Sequence, residues 1–249
     1  MPKFTDLKVK LFTDGADKAQ ILEMAKQPWI AGFTTNPSLL KKAGVADYAA
    51  YARDLVAAVP DRHISFEVFS DDVPEMVAQA RVIASWGRNV FVKLPVTNTR
   101  GDPLFEAVRS LSRDGVNINM TAIFTADQVA RAVDALAGGA PACVSVFAGR
   151  LADFGIDYRP IMRDAVARAR STRNVEIIWA STREAFNVLE ADEIGCHIIT
   201  APADILRKLP AIGSKTAAEL SLDAVKAFRA DAIAAGLTLE LAPRTDAAE

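Results

Sequence analysis

The sequence predicts a single-domain (β/α)8 barrel, an α/β fold. Short apolar runs alternate eight times with longer stretches of helical spacing. The 249-residue length matches the roughly 250 residues such a barrel takes. No linker, internal repeat or compositional break divides the chain. A doubly wound open sheet also alternates, but eight clean units are more than it carries without a second domain. Hydrophobic residues make up 51% of the chain, enough for a large core.

The eight strand candidates are 9–14 (VKLFTD), 32–36 (GFTTN), 63–69 (HISFEVF), 89–96 (NVFVKLPV), 116–124 (VNINMTAIF), 142–148 (ACVSVFA), 175–181 (VEIIWAS) and 196–200 (CHIIT). Between them lie ADKAQILEMAKQ, DDVPEMVAQARVIASW, TADQVARAVDALAG and PIMRDAVARARS, all with helical spacing. Asp71 or Asp72 can cap the second of these. Thr125 and Gln128 are spaced as a capping box at the start of the third. A further helix is predicted over 216–236. The expected domain is therefore 1–240, barrel plus C-terminal helix, followed by a polar, disordered tail at 241–249.

Composition excludes several function classes. A net charge of −2 gives no broad attraction to nucleic acid or an anionic membrane. The opening MPKFTDLKVKLF lacks a signal peptide's apolar centre, and no apolar run is long enough to span a bilayer. Cys143 and Cys196 lie far apart in apolar runs and read as reduced and buried, in a cytoplasmic protein. His63 and His197 are the only histidines and read as structural or surface residues. No cluster has metal-ligand spacing, and neither a P-loop nor G-x-G-x-x-G is present. No metal or cofactor is therefore expected.

Strand side chains alternate faces, and in a barrel one parity points into the lumen. In 64–69, 90–95, 117–123 and 142–147 one parity is largely apolar. The other carries Glu67, Lys93, Asn119, Thr121 and Ser145. Asp14, Asn36 and Ser181 fall at the last positions of their predicted strands, the end where barrel enzymes place their chemistry. Trp179 also has the inward parity and can line the lumen, though packing is its simpler role. One inward Lys–Glu pair could merely fix packing. Seven or more polar groups converging on one end point to a site.

Lys93 is the anomaly, a cation within NVFVKLPVT. Burial disfavours the ammonium and lowers a lysine's pKa from about 10.4. A neutral amine can attack a ketone and form a Schiff base, an electron sink for carbon–carbon cleavage that needs no metal. A pyridoxal-phosphate lysine and a plain phosphate or carboxylate binder are the other uses of such a residue. Asp14 and Glu67 can move protons, and Thr121 can hold a water near Glu67. Asn36, Asn119 and Ser145 suit a hydroxylated substrate. Arg150 and Arg183, past the sixth and seventh strands, suit a phosphate at the rim.

These residues sit in stretches that resemble the transaldolases, including short bacterial forms and the related fructose-6-phosphate aldolases. The matching stretches are LFTDGAD, GFTTNPSLL, SFEVF, VFVKLPVT, NINMTAIFTADQ, VSVFAGRLADFG, IIWASTRE and HIITAPADIL. They run in order through nearly the whole barrel. The resemblance implies Lys93 as the Schiff-base lysine and Asp14 as the acid/base. It implies that Glu67 and Thr121 position a water. Asn36, Asn119, Ser145 and Ser181 would hold the dihydroxyacetone part, and Arg150 and Arg183 the phosphate. Glu67, Phe147, Asn119 and Ser145 match the members that transfer the three-carbon unit rather than release it. The implied activity is transfer of dihydroxyacetone from a ketose phosphate such as fructose 6-phosphate to an aldose phosphate, in the pentose phosphate pathway. A dihydroxyacetone-releasing lyase, an aldolase for another sugar and a non-catalytic sugar-phosphate-binding barrel stay open. Short members form rings, which leaves a homo-oligomer open here. Three departures from the family are Gly15, where a small hydroxyl residue is more usual, a longer loop at 96–103 whose Arg100 could reach the substrate, and a chain longer than the shortest members, with the extra length partly in the tail.

Overall fold

A computed structural model describes residues 4–240. Eight parallel strands close into a barrel in sequence order. The elements are β1 (Lys10–Asp14), α1 (Lys18–Ala25), β2 (Ile30–Thr34), α2 (Pro37–Lys42), α3 (Tyr48–Ala58), β3 (His63–Glu67), α4 (Val73–Ala84), β4 (Val90–Pro95), α5 (Phe105–Arg113) and β5 (Ile118–Ile123). They continue with α6 (Ala126–Leu136), β6 (Ala142–Val146), α7 (Ala148–Asp153), α8 (Arg159–Ala169), β7 (Val175–Trp179), α9 (Phe186–Ile194), β8 (Ile198–Pro202), α10 (Ala203–Leu206) and α11 (Ala217–Ala234). The tail expected at 241–249 lies outside the described residues.

The helices begin where side chains supply hydrogen bonds to their free N–H groups. Asp72, not Asp71, caps α4 by accepting from the Glu75 amide. Thr125 and Gln128 form the expected capping box on α6. Asn36 caps α2, with Pro37 in the first turn, where a missing N–H costs nothing. That cap explains one difference from the sequence reading. Asn-Pro is a helix start, so β2 ends at Thr34 rather than at Asn36.

Alternation divides the strand side chains into two layers. Leu11, Phe33, Ile64, Phe66, Val92, Leu94, Met120, Val144 and Ile177 pack outward against the helices. Phe12, Cys143, Ile178 and Ile198 fill the interior, with Phe91 beside them. His63 stacks on Phe91 with ring centroids 3.6 Å apart and meets Phe12 edge-on at 4.8 Å. At the N-terminal end Lys10 and Glu176 pair at 2.7 Å. This apolar floor supports a polar layer above it.

Trp179 belongs to the outer layer, not the lumen. It is fully buried and meets Tyr158 of the α8 N-cap edge-on at 4.9 Å. Ile178 is the inward residue of β7 at that level. The lumen expectation fails because Ser181 has φ +65°. Strand alternation stops before it, so Trp179 and Ser181 do not share a face.

The helix α11 is different in kind. It has a capping box at Thr216 and Glu219, yet none of its residues is buried. Leu220, Leu222, Val225, Phe228 and Ile233 are exposed. Among the described residues, no helix is long and apolar enough to cross a membrane.

Candidate active site

The polar layer opens into a cavity of about 200 Å³ at the C-terminal ends of the strands, and Lys93 lies on its wall. Lys93 is only 6% exposed. Its Nζ donates to the Thr35 carbonyl at 2.8 Å and pairs with Glu67 Oε2 at 3.2 Å. Parallel register places Glu67 beside Lys93, and Lys93 beside Asn119. The ammonium is thus buried with partners, as the desolvation cost requires. Glu67 is close enough to accept a proton from Nζ when a nucleophile is needed.

Asp14, the last residue of β1, lines the same cavity. Its Oδ1 accepts from the Thr34 hydroxyl at 2.8 Å, and Thr34 Oγ1 lies 2.6 Å from Thr200 Oγ1. Burial raises the Asp14 pKa; the nearby Lys93 charge and the Thr34 hydrogen bond oppose that rise only in part. A carboxyl that holds its proton longer than usual suits an acid/base. Thr34 and Thr200 are site residues that the sequence reading missed. The signal for them was their inward parity on β2 and β8, the strands that flank Asp14 in the register.

The raised Asp14 pKa has a sign that can be tested. The native state keeps the Asp14 proton at pH values where the unfolded chain has already lost it. Asp14 therefore lowers stability as pH rises from about 3.9, the unfolded value, through the higher folded value. Asp14→Asn is expected to remove that slope, leaving the variant more stable than the parent at neutral pH. Urea unfolding between acid and neutral pH measures it. A parent-to-variant stability difference that stays constant across that range would contradict the raised value.

Below the rim runs a hydrogen-bonded chain. Ser145 Oγ donates to Asn119 Oδ1 at 2.7 Å, and Asn119 Nδ2 donates to Ser65 Oγ at 3.0 Å. His63 Nε2 lies 2.8 Å from Ser65 Oγ. Ser145 lines the cavity, whereas Asn119 is fully buried behind it; Glu67, half-buried, is not among the lining residues and joins the site through Lys93. Thr121 lines the cavity, and its buried Oγ1 has no hydrogen-bond partner among the described residues. Leaving a buried hydroxyl unpaired costs about 1–3 kcal/mol, so its placement facing the cavity is a candidate contact for substrate. Ala122 beside it has φ +59°, where the β5–β6 register slips between Met120 and Ile123. Left-handed non-glycine residues cluster at functional sites.

Phe147, Arg150, Ser181 and Arg183 complete one side of the cavity, and Asn36 lines it while its Oδ1 caps α2. The Arg150 guanidinium carbon sits 5.2 Å from the Phe147 ring centre. Arg183 donates from Nε and Nη2 to Asp153. Those hydrogen bonds hold the Asp153 carboxyl below the usual carboxylate range and leave the Nη1 hydrogens for another anion. Gly149 makes this side possible. A Cβ there would lie 1.7 Å from the Ser181 carbonyl oxygen.

Arg100 is not among the cavity-lining residues. It pairs with Asp71 at 3.1 Å and Asp102 at 3.2 Å, in a loop closed by a Thr97–Pro103 bridge. At Gly15 a Cβ would meet only Gln20 Oε1, at 3.6 Å, so packing does not force glycine there.

Fold and cavity together define the class: a (β/α)8 barrel with a polar cleft at the strands' C-terminal ends, where barrel enzymes work. Residues 11–241 match the family model described as Transaldolase/Fructose-6-phosphate aldolase. The chain belongs to that family. It is 35% identical over 202 residues to a probable transaldolase of Dehalococcoides mccartyi, covering 81% of this chain and 90% of that protein. It is 38% identical over 202 residues to a probable transaldolase of a Thermoanaerobacter species, covering 81% and 89%. A solved structure of a putative lyase/mutase from Burkholderia cenocepacia shares the fold, with TM-score 0.56, 16% identity and 84% and 82% of the two chains covered.

Proposed function

We propose that this protein is a transaldolase that moves a dihydroxyacetone unit between sugar phosphates through a Schiff base on Lys93. The observation that carries the reading is a buried lysine on the wall of a polar cavity, with Glu67 beside its amine and, in the same cavity, Asp14, whose carboxylate burial makes a stronger base than usual.

Lys93 Nζ, after giving a proton to Glu67, attacks the ketose carbonyl, and water leaves as the iminium forms. Asp14 takes the proton of the substrate hydroxyl next to the breaking bond. The bond's electrons flow into the iminium, the shortened aldose leaves, and a lysine-bound enamine remains. An acceptor aldehyde then reverses the sequence: the enamine attacks, Asp14 returns its proton to the new hydroxyl, and water frees the lysine. Thr121 and Glu67 position the water that enters and leaves. Asn36, Asn119, Ser145 and Ser181 bind the three-carbon unit, directly or through one another. Arg150 and Arg183 bind the phosphate, as guanidinium groups suit.

Transfer is favoured over release by Glu67, Phe147, Asn119 and Ser145, the choices that the resemblance associates with transfer. Fructose 6-phosphate as donor and erythrose 4-phosphate as acceptor place the reaction in the pentose phosphate pathway. Two buried, unpaired cysteines support a cytoplasmic location. The exposed apolar side chains of α11 support a homo-oligomer.

The test is turnover of fructose 6-phosphate with and without erythrose 4-phosphate, followed by borohydride reduction and mass measurement. Sedoheptulose phosphate formed only with acceptor, and a three-carbon mass on the Lys93 peptide, are expected. Dihydroxyacetone released at full rate without acceptor would make the protein a lyase. No added mass would leave a sugar-phosphate-binding barrel without covalent chemistry.

A further inference from the structure

His63 lies on the opposite side of the polar layer from the rim, yet one hydrogen-bonded chain links it to the cavity. The chain runs His63 Nε2, Ser65 Oγ, Asn119 side-chain amide, Ser145 Oγ, with steps of 2.8, 3.0 and 2.7 Å. Such a chain has two self-consistent directions. A hydroxyl carries one hydrogen, and an amide has one donor end and one acceptor end. If His63 Nε2 accepts, the Ser65 hydroxyl donates to it and accepts from Asn119 Nδ2. Asn119 Oδ1 then faces Ser145 and takes its hydrogen. The Ser145 oxygen is left with lone pairs toward the cavity. If His63 Nε2 carries the proton, Ser65 Oγ accepts it; for the Ser65 hydrogen to stay paired within the chain every link then reverses, and Ser145 turns a hydrogen toward the cavity instead.

We propose that His63 is a positioning residue: as an acceptor at the far end, it orients the Asn119 amide and makes Ser145 an acceptor for a substrate hydroxyl. Three observations support this direction. Asn119 places Nδ2 on Ser65 and Oδ1 on Ser145. Burial against Phe91 and Phe12 keeps the imidazole neutral, with a pKa lowered to about 3 and the Lys10 charge adding to the effect. The stack on Phe91 at 3.6 Å fixes the plane of the ring, and within that plane Nε2 faces Ser65 Oγ at 2.8 Å. The specificity consequence is that the site favours a ligand that donates at Ser145, as a hydroxyl does, over one that presents only an acceptor there.

The inference rests on the transaldolase reading for its substrate, but the direction of the chain can be measured without any substrate. The protein has two histidines. His197 Nδ1 accepts from the Ile177 amide at 3.1 Å, so its proton is on Nε2. His63 is expected to be the opposite tautomer, protonated on Nδ1. Long-range proton–nitrogen spectra of histidine-labelled protein read both at once. An Nε2-protonated or charged His63 near neutral pH would overturn the proposal, whatever the activity. The second arm is a double-mutant cycle. His63→Phe is expected to lower kcat/KM for fructose 6-phosphate about tenfold or more, mainly through KM. In a Ser145→Ala background the same change is expected to cost less than twofold. His63→Gln, whose amide oxygen can reach the Nε2 position, is expected to keep at least about a third of the parent value. Equal losses from His63→Phe with and without Ser145 would mean a packing role only, and would overturn the proposal. An inactive parent protein would overturn the transaldolase reading alone, since the spectra still decide the tautomer.

Discussion

Lys93→Met is expected to abolish turnover, by on the order of 10⁴-fold or more, as loss of a covalent nucleophile does. It is also expected to abolish borohydride trapping of the ketose. Methionine keeps an unbranched stem of similar length, so packing against the lumen survives. What is lost is the amine's hydrogen bond to the Thr35 carbonyl and its pairing with Glu67. Both partners remain and lose a donor. The stability loss should be about 1–3 kcal/mol, small enough for the barrel to stay folded. Activity assays, intact mass after trapping and a far-ultraviolet circular dichroism melt separate the two effects. A folded Lys93→Met protein that still traps substrate would remove Lys93 from the chemistry.

Gly149→Ala is expected to have the next largest effect, at a residue that carries no chemistry. The new methyl would sit 1.7 Å from the Ser181 carbonyl oxygen and 2.7 Å from its carbonyl carbon. Both are backbone atoms, so no rotamer change relieves the clash. Either α7 or the segment after β7 must move. The first carries Arg150 and the second carries Ser181 and Arg183, so the arginines separate whichever yields. A displacement near 1 Å costs about 10² in rate, and overpacking costs about 1–3 kcal/mol of stability. The loss should appear chiefly as a higher KM for phosphorylated substrates. Gly15→Ala is the contrast: its methyl meets nothing closer than 3.6 Å, and its stability should change by no more than about 0.5 kcal/mol. Equal KM values in the Gly149→Ala variant and the parent would show that the two arginines do not share one ligand.

The barrel was legible because alternation, helix caps and length all agree on it. Asp72, Thr125 and Gln128 act as their spacing predicts, and the outward residues of the strands are the apolar ones. The gathering of Asp14, Lys93, Thr121, Ser145, Phe147, Arg150 and Arg183 around one cavity was legible too. What parity alone could not supply was depth. Asn119 points inward, but Ser145 stands between it and the opening, and Glu67 joins the site through its pair with Lys93 rather than as a lining residue. Alternation also fails where the backbone leaves the strand. Asn36 is a helix cap, and the left-handed Ser181 misassigned Trp179. Partners distant in sequence were invisible as well. Nothing in the spacing ties Arg183 to Asp153 or Arg100 to Asp71.

The floor of Phe12, His63, Phe91, Cys143, Ile178 and Ile198, backed by the Lys10–Glu176 pair, has a consequence for order in time. Among the described residues this floor is largely buried and apolar, and the cavity opens at the rim. The route this leaves to Lys93 is the rim, for what arrives and for what is released. A cavity of about 200 Å³ is below the roughly 300–1,000 Å³ of common ligand pockets, so visitors take turns. In a two-substrate transfer the first aldehyde must clear the passage before the second can enter. On the proposed mechanism the covalent enzyme therefore has to persist through the interval between them. Its lifetime against water arriving by that same route sets the line between a transferase and a lyase.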